Sequence, residues 1–243
     1  MRLDKFMSEA GLLSRKETAK AVARGEITVN GLSVRKADVK VDECTDVIAY
    51  LGKRVVYYAF VYVMLNKPTG YISATEDGNA PVVTELLDDT LRKRGLFPCG
   101  RLDKDTTGFM LLTDDGALAH LLLSPKRHVE KTYAFTLDKP LPVGAEERFA
   151  AGVTLGEELC KPAALTLNDT RDGGEIRLTE GKYHQIKRMM LTEGSVVVTL
   201  ARTTFAEIPL DDRLASGEWR YLTEEEIQKL KEAPYRQKEK QLQ

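Results

Sequence analysis

Gly100-Arg101-Leu102-Asp103-Lys104-Asp105-Thr106-Thr107-Gly108, followed at once by Phe109-Met110-Leu111-Leu112-Thr113, sets one carboxylate on a glycine-bounded loop ahead of a strongly apolar strand. Asp103 is anchored by the strand it precedes yet reachable from outside, a setting that suits a nucleophile. Arg101 stands two positions before it, so in an extended loop both side chains project to one side. A cation beside an acid favours the ionised carboxylate. The residues alone leave a plainer reading open, because Asp in a Gly-bounded turn is commonly a hydrogen-bonded loop residue.

Around this loop the chain divides into a small leading module and a larger second domain. Leu3, Phe6, Met7 and Ala10 recur at helical spacing and stop at Gly11. Ser14 with Glu17 forms a capping box for a second helix that runs to about Gly25. Ile27-Thr28-Val29, the Asn30-Gly31 turn and Leu32-Ser33-Val34 give a hairpin, and residues 39–41 and 46–50 read as further short strands. Gly52-Lys53-Arg54 reads as the linker, so the module covers residues 1–55 and the second domain residues 56–233.

In that second domain, Phe60 to Leu65 is the first long strand, and Val82 to Leu87 suggests a short helix. A helix is expected from Gly116 to Leu123, ending at Ser124-Pro125. Strands are expected at Thr132–Leu137, Ala163–Leu167, Glu175–Thr179 and Ser195–Leu200. Strands joined by short turns with few long helices favour a mainly antiparallel α+β sheet over a doubly wound one. Ile186, Met189 and Met190 share an apolar face of a helix that begins near His184 and is ended by Gly194, and Lys187 borders that face. Thr223 with Glu226 caps a last helix, and the charged, glutamine-rich stretch 234–243 reads as a disordered tail.

Composition sets limits without choosing a function. The chain has 243 residues, 42% hydrophobic and 30% charged, enough for one substantial core plus a small module. No apolar run approaches the roughly 20 residues that span a bilayer, and Met1-Arg2-Leu3-Asp4-Lys5 does not open a secretory signal. Cys44, Cys99 and Cys160 are odd in number and widely spaced, which fits free thiols in a reducing cytoplasm. The net charge of −1 hides an asymmetry, since residues 1–55 carry 11 Lys and Arg against 8 Asp and Glu, whereas the remainder carries 25 against 29. Local patches, not the total, must decide what the surface binds.

Four ordered stretches carry a resemblance. Gly100 to Gly116 resembles the catalytic motif of the pseudouridine synthases, in the RsuA-like branch that acts on ribosomal RNA. Met64-Leu65-Asn66-Lys67-Pro68-Thr69-Gly70-Tyr71 is similar to the family's lysine-proline-glycine segment, and Lys131-Thr132-Tyr133 to its tyrosine segment. Glu180-Gly181-Lys182-Tyr183-His184-Gln185-Ile186-Lys187-Arg188-Met189 is similar to its basic helix. The leading module resembles the S-four-type RNA-binding domain.

This resemblance implies isomerisation of uridine to pseudouridine within ribosomal RNA, most closely the 16S RNA of the small subunit. Asp103 is then the catalytic carboxylate. Arg101 is the wedge that fills the stack a flipped uridine leaves. Tyr133 stacks on the base and takes part in late proton transfer, and Lys187 pairs with Asp103. The basic residue of many relatives is an arginine, so Lys187 gives up bidentate geometry. Arg2, Lys5, Ser14, Arg15, Lys16, Lys20 and Arg24 are expected on RNA phosphates, and Lys126, Arg127, Lys182 and Arg188 along the RNA cleft. A solvated helix face is the plainer reading of the same cations. Lys67, Pro68, Gly70, Gly100, Leu102, Thr107 and Gly108 are expected to support the loop. Thr204-Phe205-Ala206 stands where relatives often carry a glycine.

Isomerisation leaves composition unchanged, so no cofactor or metal is required. No phosphate-binding glycine loop is present, and His120, His128 and His184 lack ligand spacing. The partner implied is ribosomal RNA or a ribosomal assembly intermediate, met in the cytoplasm by a monomer, with no membrane or metal involved. Three other readings stay open: an enzyme for 23S RNA, a non-catalytic RNA-binding or ribosome-assembly factor on the same scaffold, and a hydrolase that releases free uracil.

Overall fold

The structure, a computed structural model, describes residues 1–43, 45–55, 57, 59–124, 126–127 and 129–240, with side chains to Arg236. Two compact units emerge. The first holds Met1–Val61 together with Leu87–Leu96; the second holds Tyr62–Leu86 and the chain from Phe97 onward.

In the first unit, α1 (Leu3–Glu9) and α2 (Arg15–Ala23) lead into a four-stranded sheet. Its strands are β1 (Ile27–Val29), β2 (Leu32–Ser33), β3 (Ile48–Tyr50) and β4 (Lys53–Arg54), in the order β2-β1-β3-β4. The expected capping box forms: the Ser14 hydroxyl accepts from the Glu17 amide while the Glu17 carboxylate accepts from the Ser14 amide. Asn30 and Gly31 take φ of 53° and 80°, the pair of left-handed conformations that matches a two-residue hairpin to strand twist. Leu3, Phe6, Met7, Ala21, Val22, Ile27 and Ile48 form the core of this unit.

Two short-range expectations are corrected here. Residues 39–41 make only one bridge, Arg2 to Lys40, in place of a strand. Lys53-Arg54 is not a linker. The chain turns at Leu51-Gly52, and β4 pairs back on β3, so backbone pairing uses residues whose polar side chains suggested a tether. A helix from the middle of the chain, α3 (Asp89–Arg94), also joins this unit, with Arg94 donating to the carbonyl of Glu9 at 3.0 Å.

The second unit is built on one nine-stranded sheet. Its strands are β5 (Tyr62–Lys67), β6 (Phe97–Pro98), β7 (Thr107–Thr113), β8 (Lys131–Leu137), β11 (Ala164–Leu167), β12 (Gly173–Leu178), β13 (Val197–Phe205), β14 (Ile208–Pro209) and β15 (Trp219–Tyr221). The main path runs β11-β12-β8-β13-β7-β5-β15, with β6 added on β7 and β14 on β13. All pairings are antiparallel except β13 with β7, which bears out the expected α+β architecture. β5 and β7 are buried almost throughout, as their near-continuous apolar runs require.

Helices α4 (Gly116–Leu123), α5 (Ala145–Ala151), α6 (Gln185–Thr192) and α7 (Glu224–Lys240) complete the unit, with a small ribbon of β9 (Thr154–Leu155) and β10 (Glu158–Leu159). Asp115 caps α4 by accepting from the Leu118 amide at 2.9 Å, and its other oxygen takes the buried Tyr62 hydroxyl at 2.7 Å. The expected end of α4 at Pro125 lies outside the described residues. Thr223 and Glu226 form the second capping box. The disordered tail expected from residue 234 is instead helical through Lys240, and residues 241–243 lie outside the described residues. Ala233 and Pro234 are buried and Arg236 bridges Glu207 and Glu232, contacts that offset the hydrogen bond Pro234 removes. Among the described residues, no helix is long and apolar enough to cross a membrane.

Candidate active site

Asp103 sits in the loop that carries the chain from β6 into β7, and its backbone is tied from several sides. Lys67, at the end of β5, is fully buried. Its ammonium donates to the carbonyls of Thr106 at 2.8 Å, Asp103 and Pro68 at 3.1 Å, and Lys104 at 3.3 Å. Burial pulls the Lys67 pKa down from 10.5 to about 8, against the raising influence of Asp105 and Asp103. The Gly70 amide donates to Lys104 at 2.8 Å. The Ser73 hydroxyl pairs with both the amide and the carbonyl of Leu102, at 2.9 and 2.8 Å. Lys67 and Gly70 therefore frame the loop, with Pro68 accepting from Lys67, and Ser73 is an addition that no sequence pattern announces.

Gly108 closes the loop onto the sheet. Its φ is +92°, and a Cβ there would lie 2.3 Å from the carbonyl oxygen of Arg202 on the parallel strand β13. Only glycine fits. Gly100, at φ +89°, opens the same loop, and the Thr107 hydroxyl reaches the Leu200 carbonyl at 3.4 Å.

The opposing wall is α6 and the turn before it. Ile186, Met189 and Met190 are buried, which leaves Lys187 at the border of the apolar face. Gln185, also buried, fixes the turn by accepting from the Lys182 amide at 2.9 Å and donating to Glu180. From this border the Lys187 ammonium lies 3.1 Å from Asp103 Oδ2 and 2.6 Å from Asp105 Oδ1. Burial works to lower the Lys187 pKa, but hydrogen bonds to Asp105 and Asp103 outweigh it and hold the value above that of an ordinary lysine. The Lys187 bond likewise holds Asp105 below the usual carboxylate range. His184 adds a third group, its Nε2 lying 3.5 Å from Asp103 Oδ1.

Asp103 thus faces an open cleft whose lining includes Arg101, Thr106, Tyr133, Lys182, His184 and Lys187. Tyr133 lies on β8, opposite Ile176 of β12 and Arg202 of β13, and is only 8% exposed. Its hydroxyl has no hydrogen-bond partner among the described residues. Arg101 is exposed at the rim and makes no ion pair among the described residues, so it is not a partner of a loop acid. Lys182 borders the cleft but is engaged by Glu158 at 2.9 Å.

Not every expected residue arrives here. Arg188 points to the Leu155 carbonyl at 3.5 Å. The Arg127 guanidinium lies 5.2 Å from the centre of the Tyr235 ring, and neither it nor Lys126 lines the cleft; His128 lies outside the described residues. The stacking surface of Tyr235 on α7 claims Arg127 in preference to the cleft. In the first unit Arg2, Lys5 and Arg24 are paired with Asp4, Glu9 and Glu26, and the Ser14 oxygen is committed to its cap. Arg15, Lys16 and Lys20 are exposed on α2 with no ion pair among the described residues.

Sequence reasoning missed Asp105 and His184. Asp105 stands two residues after Asp103, the same alternation that singled out Arg101, and that spacing was the available signal. For His184 the sequence offers no comparable signal, since its spacing speaks only to metal ligation. Among the described residues no group of three or more His, Cys, Asp and Glu is placed to hold a metal ion.

The fold agrees with comparisons to known proteins. Residues 61–192 match the RNA pseudouridylate synthase family, and residues 1–47 match the S4 domain. The chain belongs to the RNA pseudouridylate synthase family. It is 44% identical over 232 residues to the ribosomal small subunit pseudouridine synthase A of Escherichia coli, covering 93% of this chain and 98% of that one. It is 43% identical over 237 residues to the uncharacterized RNA pseudouridine synthase YtzG of Bacillus subtilis, covering 96% and 99%. A crystal structure of a pseudouridylate synthase superposes with a TM-score of 0.67 at 38% identity, covering 95% of this chain and 99% of that one. The chain is accordingly an RNA pseudouridine synthase, an isomerase acting on uridine in RNA.

Proposed function

We propose that this chain isomerises a uridine of the 16S RNA of the small subunit, with Asp103 acting on a nucleoside turned out of its stack. The observation that carries the reading is the Asp103–Lys187 pair, 3.1 Å apart, in an open cleft walled by Tyr133. The small-subunit assignment rests on the name of the relative from Escherichia coli and of a 43% identical one from Pasteurella multocida.

The chemistry asks little of the protein in atoms and much in placement. The bond from ribose C1′ to uracil N1 breaks, the base turns, and C1′ joins C5; the C5 proton leaves and N1 gains one. Positive charge develops at C1′ as the base departs, and a carboxylate nearby stabilises it, as in glycoside chemistry. Asp103 can serve by attack on the sugar, by attack on the ring, or by stabilising the cation on the way to a glycal. Lys187 supplies the counter-charge that holds the carboxylate in position. Tyr133 presents a ring for the flipped uracil and an uncommitted hydroxyl for the late proton transfer. Arg101, free at the rim, stacks in the vacated space. Arg15, Lys16 and Lys20 of the first unit meet RNA phosphates, a salt-sensitive contribution. The protein works as a cytoplasmic monomer without cofactor.

The test uses 16S and 23S RNA tritiated at uracil C5, taken from cells that lack this protein. Tritium release from 16S RNA alone is expected, with pseudouridine at one position. Release from 23S RNA alone would overturn the substrate assignment, and free uracil in place of rejoined base would overturn the isomerase chemistry.

A further inference from the structure

Tyr183 is 77% exposed, the second most open large hydrophobic side chain of the second unit. It is not idle. Its ring lies flat on the ring of His184, with centroids 3.9 Å apart and planes 17° from parallel. His184 in turn places Nε2 at 3.5 Å from Asp103 Oδ1. A continuous run of contacts thus leads from the Asp103 carboxylate through His184 to the outer face of Tyr183, which no described residue covers.

The backbone is bent to make this stack. His184 takes φ +47°, a conformation that side chains seldom adopt. The turn that holds it is tied by the Gln185 side chain and by the Gln185 amide donating to the Lys182 carbonyl at 3.2 Å. Charge around the stack suits a polyanion. Arg101 and Lys104 are exposed on the facing loop and make no ion pair among the described residues; Lys104 and His184 share an opening with Asp103 and Asp105, both of which Lys187 pairs. An exposed aromatic face beside free cations is the usual means of gripping a single-stranded nucleic acid.

We infer that the Tyr183–His184 stack is a platform for the nucleobase next to the flipped uridine, with the open face of Tyr183 receiving that base while His184 sets the platform against Asp103. The inference rests on the isomerase reading above and adds to it a residue that fixes the position of the strand beside the target. Once the target uridine leaves its stack, its neighbour loses a stacking partner, and Tyr183 replaces it. Any base can stack there, so the platform holds the strand in position without reading its sequence, and a purine is held most firmly because it offers the larger face.

The experiment uses the full-length chain and a single-stranded RNA undecamer centred on the modified uridine of 16S RNA. 2-Aminopurine is placed at the position before or after that uridine, and binding is measured with Asp103→Asn so that no turnover intervenes. At saturation, fluorescence at one of the two positions is expected to fall at least threefold by stacking. Asp103→Asn/Tyr183→Ala is expected to leave it nearly unquenched, and Asp103→Asn/Tyr183→Phe to restore the quench. In turnover assays Tyr183→Ala raises KM about tenfold, within the range of one stacked base, and lowers kcat no more than threefold. An abasic site at the quenched position imposes the same penalty on wild type and adds nothing to Tyr183→Ala. Equal quenching with and without Tyr183, or penalties of Tyr183→Ala and the abasic site that simply add, would overturn the platform. Quenching that depends on Tyr183 in an RNA that wild type never converts would sink the isomerase reading alone, and conversion without such quenching would sink the platform alone.

Discussion

Replacing Lys67 by methionine separates a clamp from a mere filler of space. Its ammonium has three protons shared among four carbonyls at 2.8–3.3 Å, three of them in the Asp103 loop and the fourth that of the adjacent Pro68. A hydrogen bond from a charged donor contributes about 1.5–3 kcal/mol, so three give a gross of roughly 5–9 kcal/mol. Burial opposes this by drawing the pKa from 10.5 to about 8. At about 1.4 kcal/mol per unit that opposition is worth about 3 kcal/mol. Lys67→Met is therefore expected to lose about 2–5 kcal/mol, read as a fall of roughly 5–15 °C in Tm for a domain of this size. Turnover should fall about 100-fold, because the slackened loop no longer holds Asp103 in place. Linkage supplies a second signature. With a folded value of about 8 below the ordinary 10.5, the unfolded chain keeps a proton that the folded chain has released between those values. Stability due to Lys67 thus rises as pH climbs from 8 to 10.5 and is lost as pH falls back through 8. Lys131 is also lowered to about 8, chiefly by burial, so the quantity to measure is the difference between wild type and Lys67→Met in urea titrations across that window. A variant with wild-type Tm, wild-type turnover and the same pH slope would refute the clamp.

Three further perturbations follow from the same geometry. Gly108→Ala forces a Cβ to 2.3 Å from the Arg202 carbonyl at an unfavourable φ, and a loss of more than about 3 kcal/mol is expected in urea unfolding; a loss below about 1 kcal/mol would mean the β7–β13 approach is soft. Tyr133→Phe keeps the ring and removes the hydroxyl, so RNA binding should persist while turnover drops at least tenfold; full turnover would eliminate the proton-transfer role. Lys187→Met takes the counter-charge from both Asp103 and Asp105, and kcat should fall about 100-fold with KM changed less; wild-type rates would break the proposed pairing.

What the sequence made legible was local chemistry with a strong spacing signal. The capping boxes at Ser14 and Thr223, the Asn30-Gly31 hairpin and the apolar face of α6 all follow from patterns a few residues long, and all form. The meeting of Lys187 with Asp103 was reached by resemblance, because nothing in either segment alone says that they approach. Elements were missed where tertiary pairing overrode composition. Lys53-Arg54 looks like a tether and is a strand because β3 offers it a free edge. Arg202 looks like a surface cation within β13, yet it is 1% exposed, its Nε donates to the Phe109 carbonyl at 2.6 Å, and its guanidinium lies over the Phe205 ring. The turn after Phe205 shows the reverse case: Ala206 and Glu207 take φ of 54° and 63°, a left-handed pair that neither side chain announces. The helix α3 joined the first unit because its partners lie far away in sequence, and no window of residues reports that.

In the proposed reaction one carboxylate, that of Asp103, carries the chemistry, and Asp103→Asn tests this with almost no change in shape. Its Kd for 16S RNA should stay within threefold of wild type while tritium release from uracil C5 drops below detection. Release at more than a few per cent of the wild-type rate by the folded variant would remove Asp103 from the chemistry, because an uncharged amide can neither attack as a carboxylate does nor stabilise the sugar as its base departs.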